Sequence, residues 1–304
     1  MNNKTKKPTL AIGIPAYNEE HTILPLLKSL LSQHDKVFLL KEIIVASDGS
    51  TDHTVSRASS TGDARVTVLH DRDRLGKPAR INQIFNHINT DIVVLFDADI
   101  DVHSQNLLEE LLTPMIHNIT TQAVFGSADI LPPKNLIQKI VTVGWDMWED
   151  LKKNTPNAEL YNCQGTIRAF RRELYKTMRF PNASADDAFP FLYCKKHNHR
   201  IAFAPNATVF YSQPSSYIDY VKQMIRFHGS ERIQQQNFDK GFVSQFYVIK
   251  THHRLKTLLR FWVKNPIEVL AYVLFLVIPK TVSLFHVREA MTPLWNIAVS
   301  TKKH

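Results

Sequence analysis

Asp91-Ile92-Val93-Val94-Leu95-Phe96-Asp97-Ala98-Asp99 decides how this chain is read, because a run of five apolar residues ends abruptly in two carboxylates separated by one small residue. The run predicts a strand buried on both faces. Alternation along extended backbone puts Asp97 and Asp99 on the same side of the chain. Two carboxylates at a strand end can be a polar loop and nothing more, or they can hold a hard divalent cation through their oxygens. Such a cation can bridge a diphosphate leaving group, and unit charges ~4 Å apart interact by about 4 kcal/mol at an effective dielectric near 20.

Upstream, apolar runs at Thr9 to Ile14, Glu42 to Ala46 and Arg65 to Leu69 predict further strands, as does Ala123 to Gly126 downstream. Helical patterns lie between them, at Thr22 to Leu31, His53 to Ser59, Pro78 to Ile88 and Gln105 to Ile116. Alternation of this kind predicts an α/β fold with a mostly parallel, doubly wound sheet and helices on both faces. Ligands in such sheets sit beyond the carboxyl ends of the strands. The residues there are polar: Pro15, Tyr17, Asn18 and Glu19 after the first run, and Ser47, Asp48, Gly49 and Ser50 after the second.

Each of these segments also has a plain structural reading. Asp48-Gly49-Ser50 is ordinary turn chemistry and Asp52 a good helix N-cap, whereas a functional Asp48 would accept a hydrogen bond from a nucleobase. Gly76-Lys77-Pro78 opens a helix whose amides and lysine suit a phosphate, and Lys77 could equally be a solvated surface cation. Of Asp186 and Asp187, one can cap the helical pattern Phe189 to Lys196 while the other acts as a general base, worth about 10²- to 10⁴-fold in rate. Gln223, Arg226 and Phe227 fall on one face of a helix beginning near Tyr217, where Arg226 could pair with phosphate oxygens and Phe227 stack on a sugar. A plain amphipathic helix accounts for the same pattern.

With 304 residues, 44% of them hydrophobic, the chain has ample material for a core. Its net charge of +9 implies attraction to an anionic partner: phospholipid, a phosphate-bearing substrate or nucleic acid. Cys163 and Cys194 are the two cysteines, and neither has the spacing of a disulfide framework or zinc site. Residues 1–8 lack the pattern of a secretory signal, which leads to an expectation of a cytosolic catalytic part.

Past about Gln236 the composition changes, and between Lys222 and Lys264 nine Lys or Arg face only Glu231 and Asp239. Aromatic, aliphatic and basic residues interleave from Phe242 to Lys264, the composition of a helix lying in a lipid headgroup layer. Pro266 to Phe285 is apolar but broken by Glu268 and Lys280, so its uninterrupted run is short of the about 20 residues a membrane span needs. The expected organisation is therefore residues 1–236 as the catalytic domain and 237–304 as a helical, membrane-associating region. A helical appendage packed on the core, or an oligomer interface, fits the same composition.

Taken in order, Ile14-Pro15-Ala16-Tyr17-Asn18-Glu19-Glu20, Ser47-Asp48-Gly49-Ser50-Thr51-Asp52, Gly76-Lys77 with Asn82, Asp97-Ala98-Asp99, Asp186-Asp187 and Gln223-x-x-Arg226-Phe227 closely resemble the family 2 glycosyltransferases. The resemblance implies a GT-A fold, a nucleoside-diphosphate sugar donor that is usually UDP-linked, a Mg²⁺ or Mn²⁺ ion, and inversion at the anomeric carbon. Pro15, Tyr17 and Glu19 then resemble the wall of the nucleotide pocket, Asp48 the carboxylate that recognises the base, and Lys77 the lysine near base and phosphates. Asp97 resembles the residue beside the ribose and donor, and Asp99 the main metal ligand. Gln223 and Arg226 resemble donor-binding residues, while Gly165 and Thr166, with Phe227, resemble the acceptor side.

Asp187 resembles the catalytic base, with Asn198 eleven residues on in place of the family's turn glycine, a substitution that left-handed backbone tolerates. Asp186 stands where Glu is usual, and Phe227 where Trp is usual. The expectation is an inverting hexosyl- or N-acetylhexosaminyltransferase, acting on a lipid or glycan acceptor at the cytoplasmic side of a membrane as a peripheral or monotopic enzyme. Nucleic acid is not an expected partner. The competing readings are a nucleotidyltransferase, which has no use for Asp187 and Arg226, and an inactive nucleotide-binding module at a membrane surface.

Overall fold

The computed structural model describes residues 7–183, 186–285 and 294. Its first elements are β1 (Thr9–Ala16), α1 (Ile23–Leu31), β2 (Leu39–Asp48), α2 (Thr54–Ser59), β3 (Val66–Asp71), α3 (Lys77–His87), β4 (Ile92–Phe96), β5 (Ile100–Asp101), α4 (Leu107–His117) and β6 (Thr121–Ile130). There follow α5 (Leu136–Lys153), a 3-10 turn (Glu159–Asn162), β7 (Ile167–Arg171), α6 (Arg172–Thr177), α7 (Phe189–Lys196) and β8 (Arg200–Tyr211). The last are α8 (Tyr217–Gln234), α9 (Lys240–Ser244), α10 (Thr251–Lys264) and α11 (Pro266–Phe285).

These elements form two compact units that interleave along the chain. The first takes the described residues up to Asp129, with Gln164–Pro181 and Tyr193–Phe210. The second takes Ile130–Cys163, Asn182–Leu192 and the described residues from Tyr211 onward, so position 236 lies inside it.

The first unit is built on an eight-stranded sheet in the order β3-β2-β1-β4-β7-β6-β8-β5. Strands β3, β2, β1 and β4 run parallel, with Ile12 beside Ile43 on one flank and Val94 on the other. Leu10, Ile12, Ile14, Val93 and Val94 are wholly buried, as central strands covered on both faces must be. Beyond β4 the sheet becomes mixed, since β7 pairs antiparallel with both β4 and β6. The apolar periodicity that predicts β1 to β4 is missing from β7, where Arg168 and Arg171 interrupt the run, and from β8, where Pro205 and Asn206 do. Helix α1 buries Ile23, Leu26, Leu27 and Leu30 in the i, i+3, i+4, i+7 pattern of an amphipathic helix.

The second unit is helical. Asn135 caps α5 by accepting the Gln138 amide at 2.9 Å, and Ser216 caps α8 by accepting the Asp219 amide at 3.2 Å. Helix α11 packs against α5 and α8: the Tyr217 hydroxyl donates to the Phe275 carbonyl at 3.0 Å, and the two rings lie 4.7 Å apart. Helix α10 turns a mixed side to α5, where the Thr257 hydroxyl donates to Asp150 at 2.8 Å and Arg260 pairs with the same carboxylate. No helix among the described residues is long and apolar enough to cross a membrane.

Gly144 sets how closely α11 approaches α5, because a Cβ there would lie 2.1 Å from the Tyr272 ring. Alanine in mid-helix normally stabilises by about 1 kcal/mol relative to glycine. Here the sign reverses: Gly144→Ala is expected to destabilise by about 1–3 kcal/mol through overpacking, measured by chemical denaturation.

Candidate active site

The carboxyl ends of β1, β2 and β4 carry most of the sequence-predicted residues of the first unit, with Lys77 at the start of α3 and Gly165 and Thr166 just before β7. Pro15 is buried at the penultimate position of β1, beside Ala46. The two loops that follow β1 and β2 are stitched together. The Asn18 amide donates to Ser50 Oγ at 3.1 Å, the Thr51 amide to Asn18 Oδ1 at 2.9 Å, and the Glu19 amide to Thr54 Oγ1 at 2.6 Å. Asn18 itself adopts left-handed backbone at φ 53°. Glu19 turns inward, 6% exposed, and its carboxylate accepts from the Thr22 hydroxyl at 3.0 Å.

Asp52 serves the same stitching. Its Oδ1 accepts the Thr54 amide at 3.0 Å and hydroxyl at 2.5 Å, and its Oδ2 accepts the Glu20 amide at 3.1 Å. Burial pushes its pKa up, but the hydrogen bonds from Thr54 and Glu20 outweigh this and hold it below the ordinary 3.8.

Asp48 is 4% exposed and its carboxylate occupies the amino end of α3. Oδ1 accepts the Leu75 amide at 2.8 Å, the Gly76 amide at 3.0 Å and Arg80 Nε at 2.9 Å, and Oδ2 takes the Gly76 amide at 3.0 Å. Gly76 can aim its amide this way because it sits at φ 94°, a conformation side chains disfavour. The helix end that suits a phosphate in the sequence is thus held by a carboxylate of the chain itself. Arg80 is 1% exposed and continues from Asp48 to Asp71 and Gln83. Arg74 lies 3.9 Å from Asp48 Oδ2 and stacks its guanidinium over the Tyr17 ring, 4.0 Å from the centroid.

Asp97 and Asp99 stand in the bend between β4 and β5, both partly exposed, flanking the buried Ala98. Lys77 Nζ is 2.7 Å from Asp97 Oδ1. The Asp97 amide donates to the Thr166 carbonyl at 3.0 Å, which puts Gly165 and Thr166 beside the acidic pair at the start of β7. The Thr166 hydroxyl is buried without a hydrogen bond among the described residues. No cluster of three or more His, Cys, Asp or Glu occurs among the described residues. The two carboxylates nonetheless suit a hard cation, and the Lys77 ammonium already stands in for one at Asp97.

The second unit carries the remaining predicted residues. Asp186 is buried, Asp187 is half-buried, and both precede α7. Burial raises the pKa of the Tyr247 hydroxyl against the effect of its hydrogen bond with Ser230, and the fields of Glu231 and Asp187 add to the rise. Ser230 and Tyr247 hydroxyls are 2.9 Å apart. Asp187 and α8, which carries Gln223, Arg226 and Phe227, therefore lie in the same neighbourhood of this unit. Phe227 is 47% exposed, with the Arg226 guanidinium 5.4 Å from its ring centroid.

Helix α7 ends as the sequence predicts. Asn198 has φ 57°, its amide bonds to Lys195 O at 3.4 Å, and the His199 amide bonds to Cys194 O at 2.9 Å, the paired bonds of a Schellman cap.

Residues 11–179 match the family described as Glycosyl transferase family 2, which is more than half of the chain, and the protein belongs to that family. It is a glycosyltransferase. Over 192 residues it is 26% identical to WfgD of Escherichia coli, a UDP-Glc:alpha-D-GlcNAc-diphosphoundecaprenol beta-1,3-glucosyltransferase, covering 62% of this chain and 71% of that one. Over 106 residues it is 34% identical to an undecaprenyl-phosphate 4-deoxy-4-formamido-L-arabinose transferase of Edwardsiella ictaluri, covering 34% of this chain and 31% of that protein. The chain thus spans less than a third of the second relative. The GT-A fold is shared with the mannosyltransferase PcManGT of Pyrobaculum calidifontis, solved with GDP-Man and Mn²⁺, at TM-score 0.62 and 19% identity over 93% of this chain and 83% of that one.

Sequence reasoning missed Arg74 and Arg80. Arg80 carried a signal, since it falls with Ile81, Ile84 and Phe85 on the buried side of α3, where a charge requires a buried partner.

Because the Asp52 pKa is lowered on folding, its contribution is complete above the unfolded value and lost as pH falls through the folded one. Asp52→Asn should lower stability at neutral pH by about 1–2 kcal/mol, the cost of its hydrogen bonds. Thermal melts across the acid range should bring the variant and the parent together only as pH falls through the folded-state pKa of Asp52, below the ordinary 3.8.

Proposed function

We propose that the protein transfers a sugar, with inversion, from a nucleoside-diphosphate donor to a hydroxyl on a lipid-linked acceptor at a membrane surface. The observation that carries this reading is Lys77 paired at 2.7 Å with Asp97, beside Asp99 and at the carboxyl end of β4. A lysine and two carboxylates there provide opposite charges for a diphosphate and its counter-ion. The lipid-linked acceptor is supported by the two relatives, whose names specify diphosphoundecaprenol and undecaprenyl phosphate. A UDP-linked donor is supported by the glucosyltransferase relative.

Roles are assigned as follows. Tyr17 and Arg74 form the nucleoside side, with Pro15 and Glu19 shaping the loop behind them. Asp48 reads the base only if it exchanges one of its present partners, so its first role is to hold Gly76 and Lys77 in place. Lys77 balances diphosphate charge, and Asp97 and Asp99 would hold Mg²⁺ or Mn²⁺, which neutralises the charge that develops as the sugar–phosphate bond breaks. Gly165 and Thr166 border the acceptor, the Thr166 hydroxyl being available to it.

In the second unit Asp187 takes the proton of the acceptor hydroxyl as that oxygen attacks the anomeric carbon, and the bond to the diphosphate breaks from the opposite side. Buried Asp186 positions it. Gln223 and Arg226 bind donor phosphates and Phe227 flanks the acceptor sugar, a smaller platform than an indole.

Purified protein with UDP-sugars, Mn²⁺ and an undecaprenyl-linked acceptor should release nucleoside diphosphate, and chelation should stop it. Asp187→Asn should lower turnover by at least about 10²-fold while donor binding, read by thermal shift, stays within about twofold. Equal turnover by the variant removes Asp187 as base, and absence of turnover with any nucleotide sugar removes the reading.

A further inference from the structure

Helix α10 is amphipathic, yet its packed side is not its most apolar one. The side it turns to α5 is mixed: Thr257 is its one buried residue, Thr257 and Arg260 both bond Asp150, and Leu258 and Phe261 are half-buried beside them. Its apolar stripe faces outward. Leu255, Leu259, Trp262 and Val263, spaced i, i+4, i+7 and i+8, are 53%, 62%, 45% and 82% exposed. Helix α11 continues the pattern in the same unit, with Ile267 and Leu274 79% and 60% exposed and Leu270 and Ile278 about half exposed. Meanwhile its other side is fastened through Tyr217, Phe275 and Gly144.

We infer that the outward faces of α10 and α11 form a docking surface for an anionic lipid leaflet, with both helices lying in the interface. Residues 251–264 contain no Asp or Glu; exposed Lys256 flanks the apolar stripe, and exposed Arg254 and Lys264 lie on the opposite, Thr257 side of the same helix. Apolar side chains on a cationic helix match acyl chains below a layer of anionic headgroups. A second copy of this chain would bring the same cations against themselves, so charge favours lipid over self-association. Helix α11 lies on the surface and does not span it, because one side is packed on α5 and α8 along its length. This inference rests on the lipid-linked acceptor reading for its purpose, which is to hold the enzyme where such an acceptor resides.

The test uses the full chain and co-sedimentation with phosphatidylcholine vesicles, with and without phosphatidylglycerol. The parent should bind the phosphatidylglycerol vesicles, and added salt should weaken binding. Leu259→Ser with Trp262→Ser, and separately Arg254→Glu with Lys256→Glu, should each reduce partitioning by at least about tenfold. Melting temperature and transfer to a water-soluble acceptor analogue should be unchanged in both. Parent protein left in the supernatant, or undiminished binding by both variants, overturns the inference. So does a dimer that Leu259→Ser with Trp262→Ser converts to monomer in the absence of vesicle binding. Vesicle binding without transfer to the soluble analogue would sink the glycosyl-transfer reading and leave the docking surface standing.

Discussion

The Asp48 carboxylate, buried at the start of α3, is the interaction on which the donor side of this protein depends. An ionised carboxylate removed from water is costly unless its oxygens are satisfied. Here two backbone amides and the Arg80 guanidinium do so, and the same bonds tie the end of β2 to the loop that opens α3. Lys77 is the first residue of that helix. Its ammonium reaches Asp97 because the helix start is fixed, so a charge pair at the mouth of β4 depends on another formed at the end of β2. Arg74, adjacent to both Asp48 and Tyr17, links this cluster to the aromatic wall.

Electrostatics also explain why acidic residues in the first unit do not all serve one purpose. Asp48 and Asp52 are consumed by amides and hydroxyls, and Glu19 by Thr22. Asp97 and Asp99 remain partly exposed at the strand end. Carboxylates whose oxygens are taken by backbone amides and hydroxyls order the loops, and the acidic pair, with Asp97 held by Lys77, stands at the strand end where a ligand can meet it.

Much of this was legible before any coordinates. Strands β1 to β4 and the helices between them follow from apolar periodicity, as do the positions of Asp48, Lys77, Asp97 and Asp99 at element ends. The left-handed Asn198 follows from the family resemblance, whose turn glycine it replaces, and its φ of 57° agrees. Strands β7 and β8 were not, because tertiary pairing stabilises segments that Arg168, Pro205 and Asn206 make irregular in sequence. The partners of Asp48 were hidden for a related reason. Leu75 and Gly76 contribute backbone amides, which leave no mark in the side-chain pattern, and Arg80 looks like any surface cation until its burial is known.

The order of the strands has a consequence for how the molecule behaves in a crowded solution. The sheet terminates on one side in β3, whose last residues His70 and Asp71 are exposed and polar, and on the other in the two-residue β5. Unpaired strand borders are templates onto which foreign strands can add. A border that ends in exposed polar and charged residues opposes such growth, so the β3 side of the broad sheet is protected against zipping onto its neighbours.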